Sequence, residues 1–514
     1  MDDVISRVGE VPKFREIELK LEFDPTYLAL IQAHLLLATD GKRQAVHSTY
    51  YDTPDLVLRN AGVSLRLRDA DGRFVQTIKS TNGSSGIFDR SEWEHELKRY
   101  EIDLIAARDT ALEPLLSVRV RNALRPVFET RVERTIYQLK RNGSDIEVAL
   151  DRGEVDAGER QVPIHELELE LKQGEAAELF RLARELDAIV PLRITGKAKA
   201  ERGYELLENH KPTAEKARPL ELDPKTSVEE AFRAIGQNCL RQIIANEPGV
   251  CAGDAEALHQ MRIGLRRLRT AFAVFAKLFP EGGQERMKAE LKWATNQLGP
   301  ARDLDVFAAD VLKHLSETDA GEKEFAEVSR DLTSKRGEVY ARAREFLRSD
   351  RFRKGLLDVV EWVEAGPWTK SAAAHADTER PVQKHAATVL AKRRKQIRKE
   401  GKNLRELSAG ARHELRIKAK KLRYMTEFFV GVFPGHGRAK RREAALTSVK
   451  ELQDTLGRLN DIAVRKEELA SKGDGLSAHA AAMLEAEEAK TDKLLDQARG
   501  AYADFSAVKG FWKT

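Results

Sequence analysis

The feature that most constrains this chain is a single change of apolar rhythm. From Phe14 to about Leu207, bulky residues alternate with charged ones. Examples are Glu16-Ile17-Glu18-Leu19-Lys20-Leu21-Glu22-Phe23, Val63-Ser64-Leu65-Arg66-Leu67-Arg68 and Ile164-His165-Glu166-Leu167-Glu168-Leu169-Glu170-Leu171-Lys172. A period of two sends successive side chains to opposite faces of an extended strand, so each run predicts one charged and one apolar face. Asp71-Gly72, Asn82-Gly83-Ser84-Ser85-Gly86 and Asn142-Gly143-Ser144-Asp145 separate the runs as turns, and Pro25–Leu37 and Ala176–Leu186 read as helices. Beyond Pro224 the spacing is helical almost to Trp512, with breaks at Phe279-Pro280-Glu281-Gly282-Gly283 and Phe433-Pro434-Gly435. Between the two regimes, Asn209 to Pro219 is polar, holds two prolines and carries no bulky apolar residue, as a linker does. The expectation is a two-domain chain: a mainly antiparallel α+β domain at 1–208, a linker at 209–221 and an all-α domain at 222–514.

Composition excludes several classes. With 41% hydrophobic and 33% charged residues, the 514-residue chain can bury real cores, which argues against wholesale disorder. The 88 Lys and Arg nearly balance 83 Asp and Glu, so partners must be read from where each sign sits. Two cysteines, Cys239 and Cys251, make neither a disulfide framework nor a four-thiolate metal site. Met1-Asp2-Asp3 is acidic with no apolar core behind it, unlike a secretory leader. The longest apolar run, about Tyr27 to Ala38, holds Gln32 and His34 and is too short to span a bilayer. A soluble, cytoplasmic protein with no membrane partner is expected.

The charged strand faces are segregated by sign. Glu16/Glu18 and Glu166/Glu168/Glu170 form acidic rows, whereas Arg66/Arg68 and Lys79 form basic ones. An ordinary solvated face mixes signs residue by residue. Carboxylates two apart on a strand can share a hard divalent cation, and arginines at the same spacing offer planar forks to one oligophosphate. If the sheet closes with these faces inward, it encloses a hydrophilic tunnel with the apolar faces outside against helices. No G-x-x-x-x-G-K-[ST] loop or H-E-x-x-H helix offers a different chemistry.

At these residues the chain resembles the CYTH superfamily, the triphosphate tunnel metalloenzymes. Glu16-x-Glu18-x-Lys20 is similar to its signature. The likeness continues in order through Tyr50-Tyr51-Asp52-Thr53-Pro54, Leu65-Arg66-Leu67-Arg68, Lys79, Arg90-Ser91-Glu92, Arg134, Ile146-Glu147-Val148-Ala149-Leu150-Asp151, Glu166-x-Glu168-x-Glu170 and Lys199-Ala200-Glu201-Arg202-Gly203-Tyr204. One departure is Ala198, where relatives commonly carry Ser before the late lysine. The resemblance implies an eight-stranded antiparallel β-barrel tunnel that hydrolyses a triphosphate with Mg²⁺ or Mn²⁺. By it, Glu16, Glu18, Glu166, Glu168 and Glu170 would ligate metal, with Glu16, Glu18, Glu168 and Glu170 central to catalysis. Arg66, Arg68, Lys79, Arg134 and Lys199, together with Lys20, would grip phosphates. Glu92, Glu147 and Asp151 would either orient the bases or complete a second metal site.

The second half repeats itself. His259-Gln-Met-Arg262-Ile-Gly-Leu-Arg266-Arg267-Leu-Arg269 matches His413-Glu-Leu-Arg416-Ile-Lys-Ala-Lys420-Lys421-Leu-Arg423 at an offset of 154 residues. Asn296-Gln297-Leu298-Gly299 with Arg302-Asp303 matches Leu452-Gln453-Asp454-Thr455-Leu456-Gly457 with Asn460-Asp461 at an offset of 158. Two ordered blocks predict a duplicated helical bundle with pseudo-twofold symmetry. At about 100° per residue, His259, Arg262, Arg266 and Arg269 fall in an arc of roughly 80°, and His413, Arg416, Lys420 and Arg423 repeat it. A third basic run, Lys392-Arg393-Arg394-Lys395 with Arg398 and Lys399, lies on another helix. The stripes lack acids at i±4 to pair most of their bases, which points to a polyanion groove. Neither block offers a second His or Cys at ligand spacing, which weighs against a metal role for His259 or His413.

A duplicated helical domain whose basic stripes each open on histidine resembles CHAD, the conserved-histidine α-helical domain. The resemblance implies binding of inorganic polyphosphate, with Arg394 and Arg398 added to the two stripes. Nucleic acid is the competing polyanion, but the stripes lack interleaved aromatics for base stacking. The combined architecture looks like the inorganic triphosphatases, so hydrolysis of tripolyphosphate to pyrophosphate and phosphate is the expected activity. Alternatives are a tunnel enzyme acting on thiamine triphosphate, RNA 5′-triphosphates or ATP, and a non-catalytic polyphosphate-binding scaffold. A pure anion binder gains nothing from clustered carboxylates.

Overall fold

The computed structural model describes residues 17–34, 41–80, 91–209, 213–279, 282–317, 322–369, 380–471, 489 and 491–512. Glu16, the turn at 82–86 and the break at Pro280-Glu281 lie outside them. The chain divides into two compact units, one holding the described residues up to Asn209 and the other those from Thr213.

The first unit is an antiparallel sheet of β1 (Ile17–Glu22), β2 (Lys42–Asp52), β3 (Val63–Ala70), β4 (Arg73–Ser80), β5 (Ser91–Leu97), β6 (Arg125–Arg141), β7 (Ser144–Asp156), β8 (Gln161–Gln173) and β9 (Arg193–Ile194). Its strand order is β5-β4-β3-β2-β6-β7-β8-β1-β9. The Asp71-Gly72 and Asn142-Gly143 pairs turn β3 into β4 and β6 into β7. All four residues take positive φ (53°, 87°, 46° and 77°), the backbone a two-residue hairpin loop demands. The expected eight-stranded closed barrel is corrected on both counts: the sheet has nine strands, and no described strand joins its edges, β5 and β9. β9 is only two residues long, too short to ladder onward, and pairs with β1 alone.

The alternating runs fold as the period dictates. Leu19, Leu21, Leu65, Leu67, Leu167 and Leu169 on one face are buried. Helix α1 (Ala176–Asp187) packs on β8, and the segment after β5 covers Val63, Leu65 and Ile78 with Ala107, Leu112 and Val120. The opposite face carries the acidic and basic rows but is not hydrophilic throughout. At one end Val46, Tyr50, Phe128, Val132, Val155 and Ile164 cluster with Tyr204 of α2 (Lys199–Leu207). Phe128 and Val132 share strand parity with Arg134, and Ile164 shares it with Glu166, so this apolar plug sits on the charged face. It seats α2 there, with the Tyr204 hydroxyl donating to Asp52 Oδ2 at 2.9 Å.

The second unit is helical: α3 (Val228–Ala245), α4 (Ala255–Val274), α5 (Gln284–Gln297), α6 (Gly299–Glu317), α7 (Glu322–Arg348), α8 (Asp350–Ala365), α9 (Val382–Glu400), α10 (Ala409–Phe428), α11 (His436–Ser471) and α12 (Thr491–Ala507). The duplication is visible in its caps. Asp254 accepts from the amides that open α4, and Ser408 does so for α10, 154 residues on; both helices are 20 residues long. They pack against each other. Their buried stripes are Leu258, Met261, Leu265, Leu268 and Phe272 on α4, and Leu415, Ala419 and Leu422 on α10.

Candidate functional site

Register assembles the acidic wall of the sheet. Glu18 pairs with Glu170 and Lys20 with Glu168 between β1 and β8, while Asp151 of β7 stands opposite Glu166 of β8. Asp151, Glu166 and Glu168 therefore converge, each offering one oxygen within 4.8 Å of the others. All three are buried or nearly so. Lys199, at the first turn of α2, reaches this trio: its Nζ lies 2.7 Å from Asp151 and 3.0 Å from Glu168 and contacts Glu166. Arg134 of β6 spans Asp151 at 2.6 Å and Glu168 at 2.7 Å, and Lys20 sits 2.5 Å from Glu168 and 2.8 Å from Glu18.

Electrostatics hold Glu168 and Lys199 charged. Burial pushes the Glu168 carboxyl up, but Lys199, Lys20 and Arg134 override it and hold it well below the usual carboxylate range. Burial likewise lowers Lys199, against which Asp151, Glu166 and Glu168 raise it.

The basic wall is less compensated. Arg66 and Arg68 of β3 are followed by Lys79 of β4, which pairs with Glu92 of β5 at 2.6 Å. Arg66 lies 3.5 Å from Glu92 and 3.8 Å from Glu94. The Nε atoms of Arg66 and Arg68 are buried with no hydrogen-bond partner. The neighbouring Arg66 guanidinium, then burial, then Arg134 bring Arg68 down to about 10. Burial, then Arg66, brings Lys79 down to about 8. Lys79 also senses Lys20, although five strands separate β4 from β1 in the sheet, so the sheet curls until its two walls face each other.

Of the expected metal ligands, Glu166 and Glu168 enter the trio. Glu18 lies beside Lys20, and Glu170 is drawn to Lys172 at 2.5 Å. Asp151, expected only as an orienting or second-site acid, is the third member. Arg202, absent from the expected site, contacts Glu166 at 3.0 Å and also Glu22. Its signal was its place one helical turn after Lys199.

In the helical unit the two stripes meet. Arg416 and Lys420 of α10 act on Arg266 and Arg262 of α4, and Arg302 of α6 joins them. Burial first, then Arg266, Arg416, Arg423 and Arg262, bring Lys420 down to about 7. Burial and then Arg266 lower Arg262 to about 10, and its Nη1 donates to the Thr295 carbonyl at 2.8 Å. The Nε atoms of Arg262, Arg269, Arg416 and Arg423 are buried without a hydrogen-bond partner. Arg423 faces an acid on its own helix, Glu427 at 3.8 Å. Arg394 does not join: its guanidinium donates to the carbonyls of Ser506, at 3.1 Å, and Val508, so it closes the C-terminal helix onto α9. Arg398, exposed on α9, acts on Arg394 rather than on the cluster. Arg269 instead extends the stripe toward Lys421, which also senses Arg393 and Lys288.

Known families match both units. Residues 15–204 match the CYTH domain family and residues 234–470 match the CHAD domain family. Over 194 residues it is 35% identical to the inorganic triphosphatase of Haemophilus influenzae, an alignment covering 37% of this chain and 54% of that protein. The chain thus matches about half the length of this curated relative. The CHAD domain of the plant Ricinus communis is 27% identical, with 98% of it covered by 58% of this chain and a TM-score of 0.45. A Hippeastrum protein described as having a dominant triphosphatase activity is 19% identical, with 96% of it covered by 37% of this chain and a TM-score of 0.29. Among the described residues no helix is long and apolar enough to cross a membrane.

Proposed function

We propose that the curled sheet hydrolyses inorganic triphosphate to pyrophosphate and phosphate with Mg²⁺ or Mn²⁺, and that the helical unit binds polyphosphate. The observation that carries this reading is the opposition of two walls on one face. Asp151, Glu166 and Glu168 converge on one side, and Arg66 and Arg68, with unpartnered buried Nε atoms, stand on the other. An all-oxygen set of three carboxylates suits a hard divalent cation, so the donors present fit the metal. Bound there, Mg²⁺ or Mn²⁺ would supply a Lewis acid and a water of lowered pKa.

The chain's own residues do the rest. Arg66, Arg68 and Lys79 neutralise phosphate oxygens and fix the line of displacement, which is most of what phosphoryl transfer asks of a protein. Lys199, Lys20 and Arg134 hold Glu168 ionised, Lys199 and Arg134 do the same for Asp151, and all three would reach toward the bound phosphates. The apolar plug around Phe128 and Tyr204 closes one end of the face to water. Kinship to a triphosphatase of Haemophilus influenzae supports the choice of substrate.

Phosphate release from tripolyphosphate should require Mg²⁺ or Mn²⁺ and stop in EDTA. Long-chain polyphosphate binding should fall sharply in the charge reversals Arg262→Glu and Arg416→Glu, and little when Arg342 and Arg344 are reversed. Metal-independent turnover would refute the first half of the reading, and equal losses the second.

A further inference from the structure

Because the helical unit is duplicated, each cation of its cluster can be compared with a counterpart, and at one pair the two halves differ in charge. The frame of comparison is tight. A Cβ at Gly299 would lie 3.5 Å from Arg262 Nη1, and one at Gly457 would lie 3.8 Å from Arg416 Nη1, so the two glycines back equivalent arginines. Three residues past each glycine stand Arg302 and Asn460.

In the second repeat Asn460 Oδ1 is hydrogen-bonded to His413 Nδ1. In the first repeat no such bond exists: His259 Nδ1 is buried without a partner. Burial and then the Arg302 charge, with Arg266 and Arg262 behind it and Glu256 opposing, bring His259 down to about 4. Among the described residues no ion pair or hydrogen bond engages the Arg302 guanidinium. The second repeat is electrostatically weaker. Lys420 is brought down to about 7 and so is partly uncharged at neutral pH, and Arg423 shares its charge with Glu427.

We propose that Arg302 makes the first-repeat end of the cluster the anchoring subsite for a phosphate chain, while the His413–Asn460 bond leaves the second-repeat end the weaker contact. The proposal rests on the polyphosphate reading above. An anionic oxygen at the first end would accept from Arg302, Arg262 and Arg266 together and relieve a repulsion that the nearby acid, Asp303, offsets only in part, since Arg262 and Arg266 both stay lowered. At the second end the ring nitrogen is already committed and the side chain replacing Arg302 is neutral.

The test is binding of long-chain polyphosphate to the full chain in EDTA, in an Arg66→Ala, Arg68→Ala background that silences the sheet. Arg302→Asn copies the second repeat onto the first, and Asn460→Arg does the reverse. Arg302→Asn should weaken binding about tenfold or more at low salt, the scale of one charge-assisted contact. It should also flatten the logarithmic salt slope by about 0.7. Asn460→Arg should tighten binding, and Arg262→Asn should cost more than its counterpart Arg416→Asn. Unchanged affinity in both swaps, or equal losses in the matched pair, would overturn the asymmetry while leaving polyphosphate binding in place. No binding by the background protein itself would overturn the polyphosphate reading and this proposal with it.

Discussion

Replacing Glu168 by glutamine separates its role in folding from its role toward metal. Glu168 accepts from Lys20 at 2.5 Å, Arg134 at 2.7 Å and Lys199 at 3.0 Å. Each of those cations keeps another carboxylate: Glu18 for Lys20, and Asp151 for both Arg134 and Lys199. The folding cost should therefore fall below the roughly 3–5 kcal/mol of stranding a buried charge. About 1–2 kcal/mol is expected, a drop of some 2–8 °C in Tm at about 2–4 °C per kcal/mol for a domain of this size. Because the folded carboxyl lies below its unfolded value, its stabilisation is present above about pH 4.3 and fades as pH falls through the folded pKa. The Tm gap between the two proteins should close in the same direction.

Toward metal the loss is larger. One of three converging carboxylates is neutralised, and half-saturation by Mg²⁺ should rise on the order of 100-fold, about 2.7 kcal/mol. Phosphate release titrated against Mg²⁺, with thermal unfolding in parallel, reads both numbers. Native turnover at an unshifted metal requirement would refute the ligand assignment.

Arg66→Ala should raise KM for tripolyphosphate and also lower kcat, since its charge is needed both in the ground state and at the transition state. Steady-state kinetics per folded molecule checks this, and unaltered constants would make Arg66 structural. Lys79 titrates near 8 in the free protein, so kcat/KM should decline as pH rises through that value and its charge is lost. Lys79→Arg should move that limb upward. Gly203→Ala should destabilise the first unit by about 1–3 kcal/mol by overpacking, because its Cβ would fall 2.1 Å from the Phe128 ring; urea unfolding measures it.

Much of this arrangement was legible in the sequence because it depends on local rules. Period-two runs and Asp-Gly or Asn-Gly turns specify strands and hairpins without reference to the rest of the chain. The 154-residue offset between His259 and His413 foretold the matched helices α4 and α10. What was hidden depends on pairing across distance. Asp151 joins Glu166 and Glu168 only because β7 and β8 register Asp151 opposite Glu166. The apolar plug was hidden for the same reason: Phe128 and Ile164 lie on the charged face only once strand parity is followed past the turns. Arg394 belonged to a basic run in sequence, yet its guanidinium is used by carbonyls more than 110 residues away. Whether the sheet closes is likewise a property of its edges, and a two-residue β9 cannot be read from alternation.

The most direct test of the central claim is a phosphate-release panel on the purified full chain, with tripolyphosphate, thiamine triphosphate, ATP and long-chain polyphosphate each offered with Mg²⁺ and with Mn²⁺. The facing walls of carboxylates and guanidiniums predict metal-dependent turnover with tripolyphosphate as the preferred substrate, one phosphate released per pyrophosphate formed. Absence of turnover with every triphosphate under both metals would contradict it and leave the curled sheet an anion-binding scaffold.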